Sequence, residues 1–153
     1  MYKVVRKQRG RLYSVTMVQC LRSSNWDQAK KWRVRYIPDE WVKAEIGGLF
    51  IFNNLSDAIR FVSEFLTTRF IHEVEIWRCK TKETKKMSRM LVSYSVNFLT
   101  FWTKPCSSNL LITSPPPGTF TAREVMLTKR VRTWDEISQE MQKELKEAIQ
   151  CIK

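Results

Sequence analysis

Gly47-Gly48-Leu49-Phe50-Ile51-Phe52-Asn53-Asn54-Leu55-Ser56-Asp57-Ala58 is the stretch that decides the fold. Leu49 to Phe52 is a continuous apolar run of strand length. Asn54 follows as a helix N-cap, since its side-chain oxygen can accept an orphan amide of the first turn. Asp57, three residues on, completes a short-side-chain version of the capping box. Leu55, Ala58, Ile59, Val62, Phe65 and Leu66 then fall on one helical stripe. A buried strand feeding straight into an amphipathic helix predicts a helix packed back on its own sheet. Phe50, Phe52, Ile59 and Val62 are the positions through which the two should meet.

Upstream, Tyr2 to Arg6 reads as a strand, Gln8-Arg9-Gly10 as a turn and Arg11 to Cys20 as a second strand, so a hairpin is expected. Leu21 to Lys31 reads as loop. In Trp32-Arg33-Val34-Arg35-Tyr36 the apolar residues alternate with two arginines, which places Arg33 and Arg35 together on one strand face. Trp41 to Ala44 suits another short strand.

Downstream, His72 to Lys80 alternates, with Val74 and Ile76 on one face and Glu73, Glu75 and Trp77 on the other, the glutamates being read as its solvent side. Lys80 to Arg89 is polar and basic, and reads as a hairpin loop. Met90 to Trp102 carries the alternating Val92, Tyr94, Val96 and Phe98. Pro105 to Gly118 ends in Pro115-Pro116-Pro117-Gly118 and should be irregular, because prolines cannot donate to a ladder. Thr121 to Val131 returns to strand. Trp134 to Ile152 reads as a helix with a Thr133/Glu136 capping box and an apolar stripe through Ile137, Met141, Leu145, Ala148, Ile149 and Ile152. The expected architecture is a single α+β domain over residues 1–153. It is a mostly antiparallel, curved sheet of about six to eight strands, with one helix on a face and a C-terminal helix at an end or edge.

The chain has 153 residues, 27 Lys/Arg against 15 Asp/Glu, and a net charge of +12. That surplus favours a polyanionic partner. No apolar run reaches the length of a membrane span, and Met1 to Gly10 has no apolar leader core. Cys20, Cys79, Cys106 and Cys151 are widely spaced and His72 is the only histidine, so no metal site is expected. Reduced, packed thiols point to a cytoplasmic protein. No Walker loop, Gly-x-Gly-x-x-Gly or Gly-x-Ser-x-Gly occurs, and neither a cofactor nor a catalytic residue is expected.

The binding candidates are basic. Arg6, Arg9 and Arg11 crowd the first hairpin, Arg33 and Arg35 share a strand, and Lys82, Lys85 and Lys86 lie in the later basic run. Such groups can track a phosphate backbone. They can also be solvated turns that discourage edge pairing. The favoured function is non-catalytic binding of RNA, DNA or a phosphate-bearing nucleotide. One alternative is a protein-interaction module; a second, an enzyme, rests on one of the resemblances below.

Three resemblances bear on this. Gly48 to Phe52 with the Asp57-Ala58 helix resembles the third strand and second helix of an RNA recognition motif, which implies RNA as a partner. In this chain Phe50 and Phe52 suit a core better than a stacking surface. Arg6, Ser14 and Glu73-Val74-Glu75, in that order, resemble the layout of one class of ADP-ribosyltransferases. That resemblance implies an arginine on a dinucleotide phosphate and a transfer-directing Glu75. Finally, Tyr2 to Arg6, Leu12-Tyr13-Ser14, Leu49 to Phe61, Glu73 to Cys79 and Pro117 to Leu127 together resemble small proteins of bacteriophage and other virus genomes. This implies an accessory role, such as blocking a host complex.

Overall fold

A computed structural model describes residues 1–15, 34–45, 47–66, 68–91 and 112–151. The fold is α+β. An antiparallel sheet contains β1 (Tyr2–Gln8), β2 (Arg11–Ser14), β3 (Arg35–Tyr36), β4 (Trp41–Lys43), β5 (Leu49–Phe52), β6 (Val74–Lys86) and β9 (Thr119–Thr133). Helix α1 (Leu55–Phe65) follows β5, a 3-10 turn (Thr68–Glu73) precedes β6, and α2 (Trp134–Cys151) follows β9. Met90–Leu91 (β7) and Ile112–Thr113 (β8) form a separate short ladder.

The curvature of the sheet goes to closure. β1 pairs with β6, β6 with β9, β9 with β5, and β5 returns to β1 where Phe52 faces Tyr2. β2 and β3 extend outward from β1, and β4 from β9. Shifts in register between Ile76 and Trp77 and between Arg78 and Cys79 interrupt the long β6–β9 ladder. Irregularities of this kind increase twist and bend a strand.

Two apolar cores result, one on each side of the strands. On the helix side, Val4, Phe52, Ala58, Phe61, Val62, Val74, Ile76 and Ile137 are buried together, with Phe50, Leu55 and Ile59 half-buried against them. On the inside of the circuit, Val5, Leu12, Tyr36, Leu49, Ile51, Cys79, Ala122, Val125 and Leu127 form the second. Strand alternation sorts β1 between the two, sending Val4 one way and Val5 the other.

Local chemistry explains the joins. Arg9 and Gly10 both have positive φ, +49° and +76°, the pattern of the two-residue turn that matches hairpin twist. Asn54 caps α1 by accepting the Asp57 amide at 2.8 Å. At α2 the Thr133 amide donates to Glu136 at 2.7 Å, and the Glu136 amide to the Thr133 hydroxyl at 3.2 Å.

Several expectations need correction. Residues 80–86 are strand and not a loop, because β9 supplies a ladder along their whole length. β6 starts at Val74, since His72 and Glu73 belong to the 3-10 turn. Glu75 is not on a solvent face; the closed sheet buries it to 5% exposure. The final strand reaches from Thr119 to Thr133, and Ile112–Thr113 pairs instead of lying in irregular chain. Met141, expected on the buried stripe of α2, is 54% exposed, so of that stripe the N-terminal Ile137 is seen to be anchored. The second half of the expected strand 11–20, Arg33, and Val92 to Phe98 lie outside the described residues.

Candidate functional site

The first basic group divides by environment. Arg6 faces Tyr13 across β1–β2, and Tyr13 faces Arg35 across β2–β3, so the three project from one face. Arg11, two residues before Tyr13 on the same strand, shares that face. Arg6 is only 7% exposed and is ion-paired to Glu73. The arginine is buried and its partner Glu73 partly exposed, so Arg6 does not stand open as Arg9, Arg11 and Arg35 do. Arg9, Arg11 and Arg35 are exposed, and no carboxylate among the described residues pairs with them.

The second group stands further along β6. Lys82 donates to Glu124 at 2.9 Å and lies 4.2 Å from the centroid of the Trp41 ring. That hydrogen bond, aided by the charges of Lys82, Lys43 and Arg123, holds the Glu124 carboxyl below its ordinary pKa. Lys85 and Lys86 face Thr121 and Phe120 and are exposed. Val74, which faces Arg6, and Lys85 are separated by most of β6, roughly 35 Å for an extended strand. The two basic groups are therefore not one compact patch.

Arg6, Ser14 and Glu75 do not converge. Val5 faces both Ser14 and Glu75, so these project to the inner side, while neighbouring Arg6 projects to the other. The Ser14 hydroxyl accepts the Val34 amide at 3.1 Å. Glu75 accepts the Trp77 indole at 2.8 Å and pairs with Lys7 at 3.4 Å. These groups serve the fold, and the dinucleotide layout of a transferase is not formed.

Inside the circuit is a polar cluster that sequence reasoning missed. Lys3 is 3% exposed, donates to the Phe50 carbonyl at 2.6 Å and lies 5.7 Å from the centroid of the Tyr36 ring. Burial lowers its pKa to about 8. Burial also pushes the free Cys79 thiol up to about 11 and raises the Tyr36 phenol. A thiol held protonated is a poor nucleophile. Among the described residues the buried Tyr36 hydroxyl has no hydrogen-bond partner. A lysine between Tyr2 and Val4 looks like any exposed strand lysine, so no sequence signal marks it.

An open cleft of about 710 Å³ lies beside the β4–β5 turn, lined by Lys43, Glu45, Gly47, Gly48, Glu83 and Arg123 among others. Arg123 and Glu83 pair at 3.2 Å across it, so its charges are largely balanced. Among the described residues no group of three or more His, Cys, Asp or Glu side chains is placed to hold a metal, and no helix is long and apolar enough to cross a membrane.

Compared with known proteins, the chain matches no family model, no curated protein and no solved structure. The resemblances drawn from local motifs rest on those motifs alone.

Proposed function

We propose that this protein binds a polyanion, such as RNA, DNA or a phosphate-bearing nucleotide, through exposed basic residues and without catalysing a reaction. The observation that carries the reading is the face that Arg11 and Arg35 share with Tyr13, Arg35 standing opposite it on β3 and Arg11 two residues before it on β2. Both guanidiniums are exposed and without acidic partners among the described residues, whereas many other cations are already paired. Strand positions hold a guanidinium more firmly than loops do, and one guanidinium can engage two phosphate oxygens. Arg9 at the adjoining turn adds a third charge. Lys85 and Lys86 supply a second contact region for a ligand long enough to reach it. The reading is of a cytoplasmic protein, in keeping with the free Cys79 thiol.

The test compares wild type with an Arg11→Ala/Arg35→Ala variant on a short RNA and a short DNA between low and physiological salt. Exposed charges contribute little to stability, so the variant should fold. Its affinity should fall, and its salt slope should drop by about 0.7–0.9 for each phosphate it no longer neutralises. Equal affinities, or no binding by either protein, would remove nucleic acid as the partner. The protein-interaction reading, including an accessory role against a host complex, would then lead, favoured by the exposed Met141 on α2.

A further inference from the structure

Trp41 is 42% exposed, although every other described tryptophan is at least half buried against the fold. It sits on β4, an edge strand of the sheet. Cross-strand register surrounds it with lysines. Trp41 faces Met126, which faces Lys80; one step along, Lys43 faces Glu124, which faces Lys82. These two rows share one face, because Val42, Val125 and Thr81 between them turn the other way, towards the inner core. Three lysines thus stand against one carboxylate, and Glu124 is occupied by Lys82. Lys80 has no acidic partner among the described residues, and Lys43 shares Glu124 with Lys82 without an ion-pair contact of its own there. Lys82 lies over the Trp41 ring, bracing it while Glu124 anchors the lysine.

We infer that the β4–β9–β6 face is a stacking platform for single-stranded nucleic acid, with Trp41 taking a base and Lys43 and Lys80 taking flanking phosphates. An indole held on an edge strand and ringed by cations matches that ligand in both of its parts, flat bases and a charged backbone. A duplex keeps its bases stacked on one another and cannot offer one to the ring. A simple polyanion has charge without bases. The inference rests on the polyanion reading above and narrows it to a strand with free bases.

Wild type, Trp41→Ala, Trp41→Phe and Lys43→Ala/Lys80→Ala would be titrated with oligothymidylate, oligouridylate, a DNA duplex and heparin, after circular dichroism has confirmed folding. Trp41→Ala should weaken both single strands by about 5- to 100-fold. It should leave heparin and duplex within about twofold and the salt slope unchanged, since stacking releases no counterions. Trp41→Phe should keep part of the affinity. The lysine variant should instead flatten the salt slope on single strands by about 0.7 per phosphate left unneutralised. Unmodified protein gives a second readout that needs no variant to fold: oligothymidylate should quench tryptophan emission, and heparin should not. Heparin binding with no quenching by either strand, or with Trp41→Ala equal to wild type, overturns the platform while the polyanion reading stands. No binding of heparin or any nucleic acid by wild type overturns both.

Discussion

The Lys3 ammonium lies inside the closed sheet and donates to the Phe50 carbonyl oxygen at 2.6 Å, with no carboxylate among the described residues to balance its charge. A buried cation answered by a carbonyl is costly, which is why its pKa falls to about 8. The unfolded chain holds this proton up to about pH 10.4, so above pH 8 the unfolded state binds more protons and stability rises with pH. Cys79 acts the other way. With its folded pKa raised to about 11, its contribution is complete at low pH and is lost as pH climbs above about 9. The clean window is therefore pH 8 to 9.

In that window the wild-type urea midpoint should rise, equivalent to about 1 kcal/mol from Lys3 less a few tenths from Cys79. Lys3→Met should abolish the rise and be at least as stable at pH 7, because a buried charge is replaced by an apolar chain of similar length. Parallel profiles for the two proteins would mean that Lys3 titrates as it does in the unfolded chain.

Legibility follows locality. Leu49 to Phe52 and the Asn54 cap are readable because an apolar run and a cap are written in adjacent residues, and the structure has both. The α2 capping box is readable for the same reason. Thr81 to Lys86 is not, since nothing in Thr-Lys-Glu-Thr-Lys-Lys is apolar; it is a strand because β9 lies alongside. Glu75 and Lys3 mislead in a related way. Alternation tells which residues share a face, but not that the sheet closes and turns that face inward. Of the site candidates, Arg11 and Arg35 stand exposed on β2 and β3, whereas Arg6 is taken up by Glu73, a residue distant in sequence.

Phe52 tests the helix-side core. It is buried beside Phe61, their ring centroids 5.1 Å apart and their planes tilted by 43°. Phe52→Ala should cost about 3–5 kcal/mol, the range for an aromatic removed from a packed core. Chemical denaturation would measure it. A cost below about 1 kcal/mol would indicate a site open enough to collapse, contrary to the packing seen.

Two glycines should differ in kind. A methyl group at Gly118 would collide with the side-chain oxygens of Asn53 and Asp57 beside the α1 cap, where the Asn53 amide also donates to the Gly118 carbonyl at 2.9 Å. Gly118→Ala should cost about 1–3 kcal/mol through this crowding. Gly10 has open space around it but a φ of +76°, so Gly10→Ala should cost about 1–2 kcal/mol through backbone strain alone. Gly10→Asn separates the mechanisms, because asparagine tolerates that conformation and should recover most of the loss. Gly118→Asn should recover nothing.

The last prediction concerns how the two basic groups share a ligand. Arg11 and Arg35 stand by the β1–β2–β3 end of the sheet, and Lys85 and Lys86 stand where β6 meets Thr121 and Phe120. Roughly 35 Å of strand separates the two along β6. A strand of about three nucleotides is too short to reach both groups, so removing either leaves the other available and should change its affinity by about twofold at most. A strand several times longer can engage both, and the second contact then forms at high effective concentration. Lys85→Ala/Lys86→Ala should therefore weaken the long strand by about tenfold or more at low salt while barely affecting the short one. Fluorescence anisotropy with both lengths, at low and physiological salt, reads this directly. An equal loss on both lengths would mean that the groups meet in one site. No loss on either would take Lys85 and Lys86 out of the binding surface and leave Arg9, Arg11, Arg35 and the Trp41 platform to account for it.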